Sequence, residues 1–384
     1  MLKKKKRRQL TNEQQLARGP MDLPFLLLTM LIMGIGLIML LSASSATSYY
    51  ELGAGNAMYY FIRQAIFAAA GVAVMFVTSK IDYQTFRGLS VFVLGIAFVL
   101  LVAVLIPGIG VTRNGATRWI NLGITQLQPS EIAKLGVILY FSARISKMKD
   151  KLNSFRSLLP FFAILVGIAI LLYFEPHMSG TILILAVGAV LLFVGGIKLK
   201  WVAIGGGVAV AGLFFIITNT QYMTSRIQLW LDPWSDPLGK GFQAIQSLYA
   251  IGSGGLLGLG LGKSRQKYLY LPEEHNDFIF AIVCEELGYV GACIVLILFA
   301  LLVIRGYWLA IHARDRFGSL LIVGVTTLLA VQVFLNIGVV TNFFPVTGIS
   351  LPFFSYGGSA LMIQLLEMGI VLSVSRQIPA PRPG

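Results

Sequence analysis

The sequence predicts an all-α protein that crosses a membrane about ten times. Of its 384 residues, 57% are hydrophobic and only 12% are charged, and the mean hydropathy is +0.81. Soluble domains carry about 25% charged residues, so this composition excludes a water-soluble globule. A helix needs about 20 apolar residues to span a bilayer, and roughly ten spans would use most of the hydrophobic residues of the chain.

Ten apolar windows follow one another along the chain, and each is long enough for one span. They cover residues 22–42, 58–78, 88–107, 128–146, 158–174, 179–196, 201–217, 277–304, 319–341 and 357–375. The segment 218–276, between the seventh and eighth windows, is too long and too aromatic for a simple connection, so we expect a large outer loop there. The predicted domains are a basic tail at 1–21, a ten-helix domain at 22–376 and a short tail at 377–384.

The basic residues predict the orientation of these spans. Six of them, Lys3 to Arg8, precede the first window without interruption, and most of the 30 Lys and Arg residues lie on the same side of the predicted spans. Cytoplasmic loops of membrane proteins carry the excess of Lys and Arg, so both termini are predicted to be cytoplasmic. The net charge of +14 therefore reflects topology and contact with anionic lipid, and we expect no nucleic-acid partner.

Acidic residues show the opposite distribution and indicate a site on the outer side. Glu131, Glu175, Asp277 and Glu285 all lie in predicted spans or at their outer ends. Ionisable groups are costly in hydrocarbon, so they normally line a protein interior or a water-filled cavity and are candidates for function. We therefore expect the chemistry of this protein at its outer face.

The segment from Lys263 to Glu285 contains several of these candidates. Lys263 and Lys267 precede acidic residues at the mouth of an apolar helix, where an anionic head group could meet a carboxylate base. Asp277 and Glu285 stand at positions i and i+8, so on helical spacing they share one face and are predicted to line one cavity. The alternative for Asp277 is that it only caps the N-terminus of the helix.

A second candidate region begins with Arg118 and Trp119. These two side chains suit either an interfacial anchor or the recognition of a phosphate and a sugar face. Glu131 and Lys134 follow at positions i and i+3, where they can form an ion pair along one helix face. This pair either takes part in the site or only neutralises two charges within the membrane.

Two irregular segments complete the candidate site. Glu175 stands between two helices with almost no loop, and broken backbone at membrane depth is tolerated only where it is buried or faces a cavity. Glu175 is therefore predicted to face the cavity of Asp277, whereas His177 is more typical of a hydrogen-bonded structural residue than of a metal ligand. Ser355 offers a hydroxyl near the start of the last helix, but no Ser/His/Asp grouping accompanies it.

Three groups of motifs resemble those of the SEDS family (shape, elongation, division and sporulation), the FtsW and RodA group of bacterial membrane proteins. They are GATRWINLG at 115–123 with QPSE at 128–131, LPEEHNDFIFA at 271–281, and PVTG at 345–348 with LPFFSYGG at 351–358. The resemblance extends over nearly the whole chain, from about Leu23 to Arg376. The sequence departs from the family at His177, where Asp is usual, and at Ala360, where a second Ser is common.

The resemblance implies a peptidoglycan glycosyltransferase that polymerises lipid II into glycan strands at the outer face of the bacterial cytoplasmic membrane, at the division septum. It places the essential acid of the family on Asp277, which we interpret as the general base. Arg118, Lys134, Lys263 and Lys267 are then hypothetical contacts of the leaving pyrophosphate. Substrate binding is also predicted for Trp119, Glu131, Glu175, Glu285 and Ser355. The implied partners are a class B penicillin-binding protein and other membrane proteins of division.

The sequence leaves the cofactor and two other functions open. Pyrophosphate chemistry often recruits Mg²⁺ or Mn²⁺ to carboxylates, but the two cysteines and three histidines form no metal motif and no dedicated ligand set is visible. The alternatives to the polymerase are a lipid II flippase and a non-enzymatic scaffold of the division machinery. A flippase needs access from both faces, whereas this chain has no obvious inverted repeat and concentrates its acids outside, which favours the polymerase.

Overall fold

The computed structural model describes residues 19–51, 56–113, 115–123, 125–148, 152, 154–219, 221–239 and 241–378. Two predicted tails lie mostly outside these ranges. They are residues 1–18 of the basic tail at 1–21 and residues 379–384 of the tail at 377–384. The helices of the described part are α1 (Leu23–Glu51), α2 (Tyr59–Lys80), α3 (Tyr83–Val104), α4 (Pro129–Met148), α5 (Phe155–Phe174), α6 (Met178–Val194), α7 (Leu199–Asn219), α8 (Gln221–Leu231), α9 (Phe242–Gly254), α10 (Ile279–His312), α11 (Arg316–Val340) and α12 (Gly358–Ser375).

Each of the ten predicted windows coincides with one of the helices α1 to α7 and α10 to α12, which confirms the all-α prediction. Seven described helices are long and apolar enough to cross a membrane, namely α1, α2, α3, α5, α10, α11 and α12. The helix α4 is less apolar because it carries Glu131, Lys134, Arg144 and Lys147. Two further windows correspond to shorter apolar helices, α6 and the segment Leu199–Gly212 of α7.

The helices α11 and α12 form the centre of the bundle. In each of them 72% of the apolar window is buried, against 28% in α2, α3 and α5. The helix α11 is apolar around most of its circumference, which is typical of a helix enclosed by other helices. Asp315 defines its start, because the carboxylate accepts a hydrogen bond of 2.9 Å from the backbone N–H of Gly318. A central helix can present polar side chains to several neighbours at once.

The segment between α3 and α4 contains a small antiparallel sheet. Its strands are β1 (Gly110–Arg113), β2 (Ala116–Asn121) and β3 (Gln126–Leu127), in the order β1-β2-β3. Val111 pairs with Trp119, and Ile120 pairs with Leu127. Paired strands hold their side chains more firmly than a loop would, so the sheet gives Arg118 and Trp119 a fixed place at the outer end of the bundle.

The large outer loop contains two short helices, α8 and α9, joined by a 3₁₀ turn at Pro233–Ser235. It folds back onto the segment that follows α11. The indole Nε1 of Trp230 donates a hydrogen bond of 3.1 Å to the carbonyl oxygen of Asn342, and Ser247 Oγ donates one of 2.7 Å to that of Val340. The predicted outer loop is therefore a packed element of the fold.

The helix α10 is kinked at Gly288, where φ is 67° and ψ is −171°. The glycine-rich segment that follows α9 fills the break. Its Leu259 N–H donates to the carbonyl of Glu285 at 2.9 Å, and its Gly260 N–H donates to that of Glu286 at 3.0 Å. These bonds replace those that the helix loses at the kink, so the break is satisfied by protein and not by lipid.

Candidate active site

A large cavity lies at the end of the bundle that the charge pattern assigns to the outer side. Its volume is about 610 Å³, within the range of roughly 300–1,000 Å³ that is usual for small-molecule sites. The helices α2, α4, α6 and α12 begin at this end, and β2 and the segment before α10 complete the wall. The lining includes four cations, Arg63, Arg118, Lys134 and Arg226, and three acids, Glu131, Glu273 and Asp277.

The structure brings half of the predicted site residues together. Asp277, Arg118, Trp119, Glu131 and Lys134 all line the cavity. The remaining predicted residues, Glu175, Lys263, Lys267, Glu285 and Ser355, lie outside its lining.

Asp277 is half-buried and lies in a turn two residues before α10 begins. Asn336 of α11 fixes the main chain there, since its Nδ2 donates a hydrogen bond of 2.8 Å to the carbonyl oxygen of Asp277. Gly348 passes close to the carboxylate. A Cβ built on this glycine would lie 3.1 Å from Asp277 Oδ2 and 4.0 Å from Arg118 Nη1. Gly348 therefore leaves open the space that a side chain would occupy between the acid and the cation.

The surroundings of Asp277 hold its proton more tightly than water does. Burial raises the pKa of its carboxyl from 3.8 to about 6, and the negative charge of Glu273 acts in the same direction. The positive charges of Arg118 and Arg226 oppose the shift. A carboxylate with a pKa of about 6 is ionised at neutral pH and is a stronger base than an ordinary aspartate.

Arg118 is held at the cavity wall by the break between α5 and α6. Its Nε donates a hydrogen bond of 3.4 Å to the carbonyl oxygen of Glu175, and its Nη2 donates to that of Pro176. Arg226 of α8 is held in a similar way, because its Nη1 donates to the carbonyl oxygen of Val346. Both guanidinium groups are thus positioned by backbone carbonyls, and both carry their positive charge at the cavity of Asp277.

Glu131 and Lys134 form the predicted ion pair on the first turn of α4. Lys134 Nζ lies 2.7 Å from Glu131 Oε2, and the two side chains are only 4% and 8% exposed. Both residues line the cavity. The pairing removes most of the cost of placing two charges at this depth, so the neutralising role holds whether or not either residue binds a ligand.

The expectation that Glu175 faces the cavity is wrong. Its side chain is completely buried, and in the described part of the chain neither carboxylate oxygen has a hydrogen-bond partner. Burial raises the pKa of Glu175 to about 8, and Arg118 opposes the shift. His177, two residues later, lines the cavity instead. Burial lowers the pKa of this imidazole well below its ordinary value, and the charges of Arg118 and Lys134 add to the effect.

The prediction that Asp277 and Glu285 share a helix face is also wrong. The helix starts only at Ile279, so helical spacing does not extend back to Asp277. The Glu285 carboxylate is buried and turned toward the glycine-rich segment. It accepts hydrogen bonds from Ser264 Oγ and from the backbone N–H of Arg265, the latter at 3.0 Å. Glu285 stabilises a loop and does not contribute to the cavity.

The predicted pyrophosphate contacts Lys263 and Lys267 do not reach the cavity either. Lys267 is 3% exposed, and its Nζ lies 3.2 Å from Glu286 Oε1 and 2.7 Å from the carbonyl oxygen of Gly262. Ser42 of α1 donates to the same carboxylate at 2.6 Å. Lys263 is exposed on the surface of the glycine-rich segment. Lys267 is thus part of a buried cluster that attaches this segment to α1 and α10.

Ser355 has a structural role next to the site. Its Oγ donates a hydrogen bond of 2.7 Å to the carbonyl oxygen of Asn276 and accepts one of 2.7 Å from the N–H of Leu351. The hydroxyl is therefore engaged by the backbone and is absent from the cavity lining. Ser355 stabilises the segment that carries Asp277, but the prediction that it binds substrate is not supported.

Sequence reasoning missed several lining residues. Arg63 is a lone cation near the start of the apolar helix α2, and an ionisable group in a predicted span was the available signal for it. Arg226 and Gln243 belong to the outer loop, where polar residues are ordinary, so no local pattern distinguishes them. They join the cavity only because α8 and α9 fold back onto the bundle.

The cavity is suited to a negatively charged ligand. The N-terminal ends of α4, α6 and α12 meet at its wall, and the partial positive charge of a helix N-terminus favours anions. The four cations of the lining add full charges to these dipoles. Fold and site together define a polytopic membrane protein with a cavity at one end of its bundle, lined by four cations and by a carboxylate of raised pKa.

Comparison with known proteins identifies the family within this class. The chain belongs to the FtsW/RodA/SpoVE family, described as "Cell cycle protein", and the match covers residues 22–379. The resemblance predicted from the motifs is therefore confirmed.

Relatives of known name cover almost the whole chain. It is 42% identical over 356 residues to stage V sporulation protein E of Bacillus subtilis, covering 92% of this chain and 97% of the relative. It is 40% identical over 355 residues to the probable peptidoglycan glycosyltransferase FtsW of Trichlorobacter lovleyi, covering 92% and 93%. The enzyme class predicted for this chain, a peptidoglycan glycosyltransferase, is the class named for this relative.

Solved structures share the fold. One is a chain from a peptidoglycan synthase complex whose structure describes the coordination of polymerization and crosslinking. It superposes with a TM-score of 0.75 at 29% identity, and the match covers 93% of this chain and 98% of that chain. The rod shape determining protein RodA of Thermus thermophilus superposes with a TM-score of 0.69 at 28% identity, covering 94% and 98%. These matches confirm a polytopic fold of the RodA type.

Proposed function

We propose that this chain polymerises lipid II into glycan strands, with Asp277 as the general base of the glycosyl transfer. One observation carries the proposal. A half-buried carboxylate with a raised pKa and four cations line the same cavity at the outer end of the bundle. The reaction needs both functions, because it takes a proton from a sugar hydroxyl and releases a pyrophosphate with a growing negative charge.

The proposed reaction joins two lipid-linked disaccharides. The 4-hydroxyl of one sugar gives its proton to the Asp277 carboxylate as its oxygen forms a bond to the anomeric carbon of the other substrate. The bond from that carbon to the pyrophosphate oxygen breaks, and the pyrophosphate keeps the electron pair. Arg118, Arg63, Lys134 and Arg226 would stabilise the departing anion.

The described acids of the cavity offer no dedicated metal site. Among the described residues, no three His, Cys, Asp or Glu side chains come together to hold one. Of the cavity acids, Glu131 is paired with Lys134, and Glu273 accepts a hydrogen bond of 2.6 Å from Asn276. This arrangement fits a cation that enters with the pyrophosphate better than a resident ion, and Mg²⁺ or Mn²⁺ would then stabilise negative charge on the substrate.

The setting of the reaction follows from the relatives and the topology. The chain is a multi-pass membrane protein, and we propose that both termini lie in the cytoplasm, which places the cavity outside. We also propose a class B penicillin-binding protein as partner, because a solved relative of the same fold belongs to a complex for polymerization and crosslinking. The family description "Cell cycle protein" supports our proposal of a role at the division septum, with other division proteins. The match to a sporulation protein makes spore formation the alternative setting.

The experiment compares the purified wild type with Asp277→Ala and with Asp236→Asn, an exposed aspartate of the outer loop away from the cavity. Each is reconstituted with the transpeptidase partner and labelled lipid II. Glycan chains and lipid flipping in vesicles are scored separately. We expect chains from the wild type and from Asp236→Asn only. Normal chain formation by Asp277→Ala would exclude Asp277 as the base. A wild type that flips lipid II but makes no chains, together with an Asp277→Ala variant that does not flip, would favour the flippase.

A further inference from the structure

A second, smaller cavity adjoins the first one, and we refer to it as the side chamber. Its volume is about 290 Å³, and it lies between α8, the start of α9 and the segment 342–346. Arg226, Gln243 and Val346 line both cavities. The side chamber is therefore next to the space that contains Asp277.

The lining of the side chamber differs chemically from that of the main cavity. Arg226 is the only charged residue among the described residues that line it. The other side chains are the apolar Leu229, Ala244 and Val346, the indole of Trp230, the amides of Gln243 and Asn342, and the hydroxyl of Ser225. Aromatic faces pack against the apolar faces of sugar rings, and neutral amides and hydroxyls exchange hydrogen bonds with sugar hydroxyls. The main cavity suits an anion, whereas the side chamber suits an uncharged polar ring.

The walls of the side chamber are held in place by hydrogen bonds. Trp230 Nε1 donates to the carbonyl oxygen of Asn342 at 3.1 Å, and Asn342 Nδ2 donates back to that of Trp230 at 3.4 Å. Gln243 Nε2 donates to the carbonyl oxygen of Pro272 at 3.2 Å. Pro272 belongs to the segment that leads to Asp277. These hydrogen bonds hold the walls of the side chamber in place, and a preformed site loses less entropy on binding. Gln243 also connects the side chamber to the segment that precedes Asp277.

We propose that the side chamber binds the sugar ring that supplies the attacking hydroxyl, so that the donor pyrophosphate occupies the main cavity and the acceptor sugar occupies the side chamber. This inference rests on the proposed function. Its volume is at the lower limit of small-molecule sites, which fits a sugar and excludes a whole lipid-linked disaccharide. Arg226 stands at the junction of the two spaces and acts electrostatically on Asp277. A sugar in the side chamber would lie next to the cavity that contains Asp277.

Trp230 is the residue that tests this assignment. The variant Trp230→Ala removes the aromatic face, and Trp230→Phe keeps a face but loses the indole N–H. Trp234→Ala is the matched control, because Trp234 belongs to the same loop, is 54% exposed and contacts Tyr249 outside the side chamber. Ser225→Trp is a second variant that fills the side chamber from α8 and leaves Trp230 in place.

The assay separates the two substrates. A lipid II analogue with a capped 4-hydroxyl serves only as donor, and an analogue with a non-cleavable phosphonate at the anomeric carbon serves only as acceptor. We expect Trp230→Ala and Ser225→Trp to raise the KM for the acceptor by about tenfold, with the KM for the donor within about twofold of wild type. Trp230→Phe should recover most of the acceptor affinity, and Trp234→Ala should resemble the wild type.

The outcomes distinguish this inference from the proposed function. Absence of any coupled product from the wild type would contradict the proposed function itself. The assignment of the side chamber alone would be overturned if the wild type couples the two analogues but Trp230→Ala and Ser225→Trp both leave the acceptor KM unchanged. A rise in the donor KM in both variants would overturn it as well.

Discussion

Asn336 and Asp277 are joined by a hydrogen bond of 2.8 Å from the side-chain amide of Asn336 to the carbonyl oxygen of Asp277. The same amide donates one of 2.6 Å to the carbonyl oxygen of Ile349. Asn336 is completely buried in the central helix α11. A single side chain thus ties the segment of the proposed base and the segment that contains Gly348 to the middle of the bundle.

We expect Asn336→Leu to lower kcat by about 10- to 100-fold, because a small displacement of a catalytic group is costly while substrate binding is largely retained. The measurement is the rate of glycan synthesis as a function of lipid II concentration, with thermal unfolding of the detergent-solubilised protein as the check on folding. In an Asp277→Asn background the same change should have little further effect. An additive loss in the double variant would mean that Asn336 acts independently of Asp277.

The pH dependence of kcat/KM should show one acidic limb near pH 6. Asp277 acts as a base only when it is ionised, and its pKa is raised to about 6, so the rate should fall as the pH drops through that value and level off above it. An ordinary aspartate would keep its activity to about pH 4. Rates of wild type between pH 4.5 and 8 test this. The residual activity of Asp277→Asn should lack the limb, and a limb that persists in this variant would assign it to another group.

Gly348→Ala should impair catalysis for steric reasons. Gly348 has a φ of 74°, and its new methyl group would lie 3.1 Å from Asp277 Oδ2. Gly108 has a similar φ of 91°, but no atom of the described residues lies within 4 Å of the position that its Cβ would take. Both alanines strain the backbone by about 1 kcal/mol, so both should lower the unfolding temperature slightly. Only Gly348→Ala should reduce polymerisation, and equal losses in both variants would show that backbone strain is the cause.

Removal of one partner of the Glu131–Lys134 pair should destabilise the protein strongly. Glu131→Gln removes the carboxylate that lies 2.7 Å from the ammonium of Lys134, which is 4% exposed, at an expected cost of about 3–5 kcal/mol. The pair Arg87–Asp315 is the comparison, since its side chains are 30% and 33% exposed. Arg87→Gln should cost less than about 1 kcal/mol. Thermal unfolding of both variants in the same detergent measures the difference, and similar shifts would contradict the role of burial.

Lys267 should behave as a structural lysine and Lys263 as a surface lysine. Lys267→Met leaves Glu286, which is 1% exposed, without its cation, so we expect a lower unfolding temperature and loosening of the glycine-rich segment, detected by hydrogen exchange of its amides. Lys263→Met should change neither. A selective rise in the KM for lipid II in either variant, with unchanged stability, would instead restore the predicted contact with pyrophosphate.

The secondary structure follows from local sequence. Ten apolar windows predict ten helices at the right places because length and hydrophobicity alone decide whether a segment is a stable helix in lipid. Four ionisable residues in or beside these windows are candidates for an outer site, namely Asp277, Arg118, Glu131 and Lys134. Ionisable groups are costly in hydrocarbon, so they normally line a cavity or the protein interior. The pairing of Glu131 with Lys134 is also local, because three residues separate them on one helix.

Local sequence did not predict which residues from distant parts of the chain lie close together. Helical spacing placed Asp277 beside Glu285, but the chain enters α10 through a turn in which Glu273 has a φ of 56°, and the helix begins after Asp277. Lys267 was predicted to contact the ligand, but packing against α1 and α10 supplied Ser42 and Glu286 as its partners. No local pattern indicates which of two neighbouring lysines will be buried.

The sequence by itself therefore determined the class of protein and the number and position of its long apolar helices, and it identified Asp277 as the candidate base. The tertiary structure alone decided which cations line the cavity with Asp277, that the side chamber beside α8 shares Arg226 with this cavity, that Glu285 and Lys267 have partners elsewhere, and that Glu175 is buried outside the cavity lining. The physical reason is that helix formation depends on neighbours along the chain, whereas a site depends on how the ends of separate helices and the outer loop pack together, and that packing is set by contacts between residues far apart in sequence.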